Sequence, residues 1–328
     1  MKLISVALPV YNGADYLREA LDSILGQEFE DFELVVSDNC STDATPEILA
    51  EYAKRDARVK VFRPAAHLTQ ADNVNRAIEL CSGDWVKLFC HDDLMHPQCL
   101  STISEALHDP GCETVGLIGN GERHLFSNGY LYNSPSEKGA QAGFFGGRNF
   151  VKAQLLGTAS ACLPSLTTAT VRKEAWSAST KFDGRFAHFD IFLWTRLLME
   201  WDYLFVPAAL TTNRIHTAQV AVSARKTLRS VEDYRIFYKE FLEQFEGQLG
   251  LSRRDRTKIG LKRFSVIGST VAIELIKGKW SNALRLLSKV PARWWTFLPI
   301  FVVRSLYVER KRLMPVKNHV PLALIYPD

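Results

Sequence analysis

The chain has 328 residues, 47% of them hydrophobic and 23% charged, with a net charge of +4. This balance excludes disordered, collagen-like and coiled-coil chains, and the length allows one large domain or two ordinary ones. The charge is unevenly spread: residues 225–328 hold 21 Lys/Arg against 9 Asp/Glu, a net of +12, which leaves −8 for residues 1–224. A basic tail of this kind points to a polyanionic surface partner, membrane or nucleic acid, or else to a solvated helical face.

In chain order, Leu3–Val10 is a near-continuous apolar run, which predicts a strand buried on both faces, with a Tyr11-Asn12-Gly13 turn after it. Apolar residues at helical spacing predict a helix over Asp15–Leu25, and Phe32–Val36 predicts a second buried strand running into the polar loop Ser37–Asp43. Thr45 and Pro46 are placed to cap and open a helix that runs to about Lys54. A short strand Val59–Phe62, a helix Ala71–Cys81, a strand Trp85–Phe89 and a helix Pro97–Leu107 follow. Strand and helix alternating at this pitch predict a mainly parallel sheet with helices on both faces.

The glycine-dotted region 120–165 reads as loop. Order resumes with a strand at Thr167–Arg172, a helix at Phe189–Trp201 and a short strand at Tyr203–Val206 closed by Asn213-Arg214-Ile215-His216. Beyond about residue 225 the pattern is all-helical, over Val231–Phe245, Arg253–Lys277, Ser281–Val290 and Trp294–Val308. The expected division is therefore 1–222 for the α/β domain and 223–328 for a basic helical region. Trp294–Val308 is too short to span a bilayer and contains Arg304 and Pro299. With no apolar leader before the first strand and six cysteines that form no metal or disulfide pattern, the expected location is cytoplasmic with reduced thiols.

Ligands of a parallel sheet gather beyond the carboxyl ends of its strands. Three polar motifs fall there: Pro9-Val10-Tyr11-Asn12, Ser37-Asp38-Asn39 and His91-Asp92-Asp93. Paired aspartates after a buried strand suit a divalent cation with hard oxygen ligands, or simply cap the next helix. Asp38 and Asn39 supply hydrogen-bond acceptors at a strand end, or an Asx-turn for the loop that follows. Asp190 stands at a predicted helix start, where a carboxylate is a plain capping residue. No P-loop, no Gly-x-Gly-x-x-Gly, no nucleophile elbow and no His-Glu-x-x-His spacing occurs, and no nucleic-acid-binding signature accompanies the basic tail.

The segments VALPVYNGADYLREALDSILGQEFEDFELVVSDNCSTDAT and GDWVKLFCHDD, followed later by FDIFLWTRLL and NRIH, resemble a family 2 glycosyltransferase over about residues 3–216. The resemblance implies a GT-A fold and inverting transfer of a sugar from a nucleotide diphosphate donor, UDP- or dTDP-linked, to a hydroxyl of a glycan or lipid-linked acceptor in envelope polysaccharide synthesis. It implies Mn²⁺ or Mg²⁺ held by Asp93 from a solvent-facing loop, with His216 as a further metal ligand and Arg214 for phosphate. It assigns the donor to Pro9, Tyr11, Asp38, Asn39, Asn75, His91 and Asp92, and the role of general base to Asp190. His91 stands where the family carries an acid. The competing expectation is a non-catalytic GT-A-like module that binds nucleotide or glycan or scaffolds an assembly. The aromatic and basic residues of the tail suggest docking on an anionic membrane surface, or else the core of a helical subdomain.

Overall fold

The computed structural model describes residues 4–133, 142–215, 229–276 and 278–288, and the chain divides between residues 216 and 217 into two compact units. The first unit opens with β1 (Ile4–Val10), α1 (Ala14–Leu25), β2 (Phe32–Asp38), α2 (Thr45–Arg55), β3 (Val59–Phe62), α3 (Gln70–Leu80) and β4 (Trp85–Leu88). It continues with β5 (Leu94–Met95), α4 (Cys99–Ala106), β6 (Val115–Phe126), β7 (Leu131–Asn133), β8 (Gly143–Phe145), α5 (Gly147–Leu156), β9 (Ala169–Arg172), α6 (Lys173–Ala178), α7 (Phe189–Leu197) and β10 (Asp202–Ile215).

The strands form one ten-stranded sheet in the order β3-β2-β1-β4-β9-β6-β10-β5, with β7 on β6 and β8 on β10. The first four are parallel, and the sheet turns mixed where β9 runs antiparallel between β4 and β6. Both faces of the parallel half are covered, as its unbroken apolar runs require. Ile4, Val6, Leu8, Leu34 and Val36 pack with Leu17, Leu21 and Ile24 of α1 and Ile48 of α2, and α3 covers the other face. Full burial of each such side chain contributes about 2 kcal/mol. Register sets Val10 beside Asp38 and Ala7 beside Leu88, so β1, β2 and β4 end along one edge.

Two readings of the sequence change. The region 120–165 is not loop throughout: β6 runs to Phe126, and β7, β8 and α5 lie inside it. Two of the glycines that suggested a loop, Gly119 and Gly121, are there for close approach. A Cβ on Gly119 would stand 2.2 Å from the Tyr203 hydroxyl, and one on Gly121 2.4 Å from the Pro207 carbonyl. Likewise the strand at Tyr203 does not stop at Val206. The pairing of β10 with β6 shifts register between Val206 and Ala209, and the strand continues to Ile215. An irregularity of this sort admits Pro207 without ending the strand. Thr45 is also no cap, because Ala44 holds that position and the Thr45 hydroxyl accepts from Gly13 N–H.

The second unit contains α8 (Arg229–Phe245), α9 (Arg253–Ile276) and α10 (Trp280–Leu287). Phe237, Phe241 and Phe245 stack along α8 with centroids 5.5 and 5.0 Å apart. Ala283 of α10 packs with Val271, while Trp280 and Leu284, one turn apart, are 66% and 65% exposed. No helix among the described residues is long and apolar enough to cross a membrane. The expected helix Trp294–Val308 lies outside the described residues.

Candidate active site

The turn after β1 is braced by the loop after β2. Asn12 adopts φ 48°, and its Oδ1 accepts from Thr42 N–H at 2.8 Å. The next three N–H groups, of Asn12, Gly13 and Ala14, donate to Ser41 Oγ, Thr45 Oγ1 and Asp43 Oδ2 at 2.9, 2.9 and 3.0 Å. Three orphan donors at the start of α1 are satisfied by side chains from the neighbouring loop, so the two turns form as one. Gly13 also makes room for His91: a Cβ there would meet the ring Cδ2 at 2.4 Å and Val10 Cγ2 at 2.7 Å. Gly13→Ala should destabilise the chain by about 1–3 kcal/mol through this overpacking. In thermal melts His91→Ala should restore part of the loss, and equal losses with and without the imidazole would place the strain elsewhere.

The expected base-binding residues divide sharply. Pro9 is partly buried and Tyr11 is exposed, its ring meeting His67 edge-on at 4.5 Å. Asp38 is buried, with Oδ1 accepting from Ser41 N–H at 3.0 Å and Oδ2 paired with Arg63 at 2.6 Å. The Asn39 amide closes on the backbone of Leu68, accepting at 2.8 Å and donating at 3.0 Å. Asn75 does the same to Phe182, with both bonds at 3.0 Å. These two amides brace loops, and their donors and acceptors face protein.

Beyond β4, Cys90 Sγ and one carboxylate oxygen each from Asp92 and Asp93 lie within 4.8 Å of one another. Asp93 does not face solvent, as the sequence suggested: it is 2% exposed, because Thr167 Oγ1–H donates to its Oδ2 and Arg214 N–H donates to its Oδ1 at 2.9 Å. Asp92 and His91 are partly exposed. Burial, and then the charge of Asp92, hold the Asp93 carboxyl well above its usual range. Two carboxyls crowded so that one resists ionisation are an arrangement a divalent cation relieves, so these residues fit such an ion. The Arg214 guanidinium pairs with Glu19 and lies 5.1 Å over the Tyr16 ring, so it is engaged within the protein. His216 lies outside the described residues.

Asp190 occupies the first turn of α7, where backbone N–H groups of Ile191, Asp190 and Leu166 favour its ionised form. Burial nevertheless pushes its pKa up to about 6. The Cys90 thiol feels the negative charges of Asp93, Asp92 and Asp190 together, so the acid of α7 and the acid pair after β4 share one locality.

One residue was missed. Lys87, in the middle of β4, is wholly buried, with Nζ donating to the Thr167 carbonyl at 2.6 Å and Asn120 Oδ1 at 2.9 Å. Burial lowers its pKa to about 8. A lysine inside the apolar run Trp85–Phe89 was the available signal.

A parallel α/β half with polar strand ends, continued by a mixed half entered through the antiparallel β9, defines the GT-A class of folds. The family model for glycosyl transferase family 2 matches residues 5–153 of the chain. The chain is 24% identical over 258 residues to the GalNAc(5)-diNAcBac-PP-undecaprenol beta-1,3-glucosyltransferase of Campylobacter jejuni, covering 77% of each chain. The first 349 residues of Staphylococcus aureus TarS, solved with UDP-GlcNAc, superpose with a TM-score of 0.64 at 17% identity over 95% of this chain and 92% of that one. A mannosyltransferase of Pyrobaculum calidifontis, solved with GDP-Man and Mn²⁺, gives 0.57 at 16% identity over 94% and 87%. The chain spans less than half the length of the first curated relatives it matches.

Proposed function

We propose that the chain is an inverting, metal-dependent glycosyltransferase that moves a sugar from a nucleotide diphosphate donor, UDP- or dTDP-linked, to a hydroxyl of a glycan or lipid-linked acceptor in envelope polysaccharide synthesis. The observation that carries this reading is the acid pair Asp92 and Asp93 beside Cys90 beyond β4, with Asp190 in the first turn of α7. A carboxylate set apart from the acid pair, with a pKa of about 6, is ionised at neutral pH yet basic enough to take the acceptor hydroxyl proton as that oxygen attacks. Asp92, the more exposed of the pair, is the carboxylate we assign to the metal, with Asp93 behind it as a buried support. Bound there, Mn²⁺ or Mg²⁺ would supply charge neutralisation for the departing diphosphate. Pro9, Tyr11 and Asp38 line the side we assign to the base, and His91, over Gly13, borders the ribose and phosphates.

The relatives support the donor and acceptor classes by name: one protein of this fold is solved with UDP-GlcNAc, and one relative is named for a polyprenyl diphosphate-linked glycan. The deciding experiment is donor turnover with a panel of nucleotide sugars and Mn²⁺ or Mg²⁺. Metal-dependent release of the nucleoside diphosphate is expected. Binding without release under every acceptor tried would leave the non-catalytic nucleotide- or glycan-binding module instead.

We assign the second unit, proposed as a region of its own from about residue 223, to docking on an anionic membrane surface. Its support is the net charge of +12 over residues 225–328 and the exposed pair Trp280 and Leu284. The chain should sediment with anionic vesicles and not with neutral ones, and added salt should release it. Trp280→Ser combined with Leu284→Ser should weaken that binding several-fold, each buried methylene contributing about 0.8 kcal/mol. Equal recovery with both vesicle types would end the assignment.

A further inference from the structure

The connection 157–168, between α5 and β9, belongs to no helix or strand, yet its last residues reach both acids. Leu166 N–H favours the ionised form of the Asp190 carboxyl. The hydroxyl of the next residue, Thr167, donates to Asp93 Oδ2. The Thr167 carbonyl in turn accepts from Lys87 Nζ at 2.6 Å. Lys87 is itself tied down, since Asn120 accepts its second bond and passes its own Nδ2 hydrogens to the Gly121 carbonyl and Thr211 Oγ1 at 2.8 and 3.2 Å. An ammonium buried on two neutral oxygens is costly, and the charges of Glu122 and Asp93 offset only part of that cost. A neutral side chain would fill β4 more cheaply, so the ammonium has to be explained by what it holds.

We propose that Lys87 and Thr167 are positioning residues that fix the Leu166–Thr167 segment as a common brace for Asp190 and Asp93. The proton acceptor and the acid pair come from elements far apart in sequence, and this dipeptide acts on both. The brace rests on the functional reading above. It adds that the relative placement of the two acids is set from beneath, by a charged donor in the sheet.

The test uses three variants of the full chain. Thr167→Val removes the hydroxyl at nearly constant shape, Thr167→Ser restores it, and Lys87→Met removes the ammonium from a side chain of similar length. Thr167→Val and Lys87→Met should lower kcat by about 10–100-fold, with the donor KM changed by no more than about threefold. Thr167→Ser should keep the wild-type kcat. In Lys87→Met the acidic limb of the kcat profile should move to higher pH, because a released Leu166 N–H no longer favours the Asp190 carboxylate. Circular dichroism and melting temperatures identify the folded variants, and if Lys87→Met does not fold, the Thr167 pair decides alone.

A folded Thr167→Val with wild-type kcat overturns the proposal. So does an acidic limb that stays in place in a folded Lys87→Met. A wild-type chain that turns over no nucleotide sugar counts against the functional reading instead. The brace is then tested by ¹³C NMR titration of the Asp190 carboxyl: an upward move in Lys87→Met supports it, and an unmoved titration overturns it.

Discussion

Asp190→Asn should lower sugar transfer by roughly two to four orders of magnitude while leaving nucleotide affinity within a factor of about two, the pattern expected when only a general base is removed. The amide keeps the size of the carboxyl, and its Oδ1 can still accept from a backbone N–H at the start of α7, so the fold is spared. The same assignment fixes a pH dependence. Burial raises the carboxyl to about 6, and the base works only when ionised. Activity should therefore be full well above pH 6 and fall as pH drops through it, by tenfold per unit at the acidic limit. The variant should lose that limb. Near-normal turnover in Asp190→Asn would make the residue a helix cap and send the search for the base elsewhere.

Asp92→Asn and Asp93→Ala should fail in different ways. Asp92 is partly exposed beside the Cys90 thiol and Asp93. Its loss should abolish metal-enhanced nucleotide binding, weakening it by at least about tenfold in a calorimetric titration with Mn²⁺, and leave the melting temperature nearly unchanged. Asp93 is buried with its carboxylate accepting from Thr167 and Arg214. Removing it orphans two buried donors and should cost about 2–5 kcal/mol of stability, so its loss of function would accompany loss of fold. Unchanged Mn²⁺-dependent binding in Asp92→Asn would sink the metal assignment.

What the sequence made legible follows from where its signals are local. The parallel half declares itself because β1, β2 and β4 are buried on both faces and their apolar runs leave little choice, and because turn residues sit at their ends. The mixed half was obscured because its glycines carry two meanings. Gly119 and Gly121 read as chain breaks, and only the position of Tyr203 and Pro207, more than eighty residues on, reveals them as close approaches inside a strand. The candidate site shows the same division. The motifs singled out the acids, but not that Asp93 is enclosed or that Asn39 and Asn75 spend their amides on Leu68 and Phe182. Those facts depend on loops distant in sequence. Lys87 was in plain view as a charge in an apolar run, and its use became readable only with Thr167 beside it.

The two-residue strand β5 has a consequence for how the molecule comes into being. Leu94 and Met95 follow directly on the acid pair and are held by Thr212 and Thr211 of β10, and Asp93 itself receives the N–H of Arg214, 121 residues later. The acids of the opening half are thus clamped by the final strand of the first unit. On a ribosome, or in a refolding reaction, the early parallel layers can collapse while this clamp is still missing. Contacts of such high sequence separation form late. Competence to bind donor should therefore appear only after β10 docks, and chains cut short before it would hold the right acids in no useful arrangement.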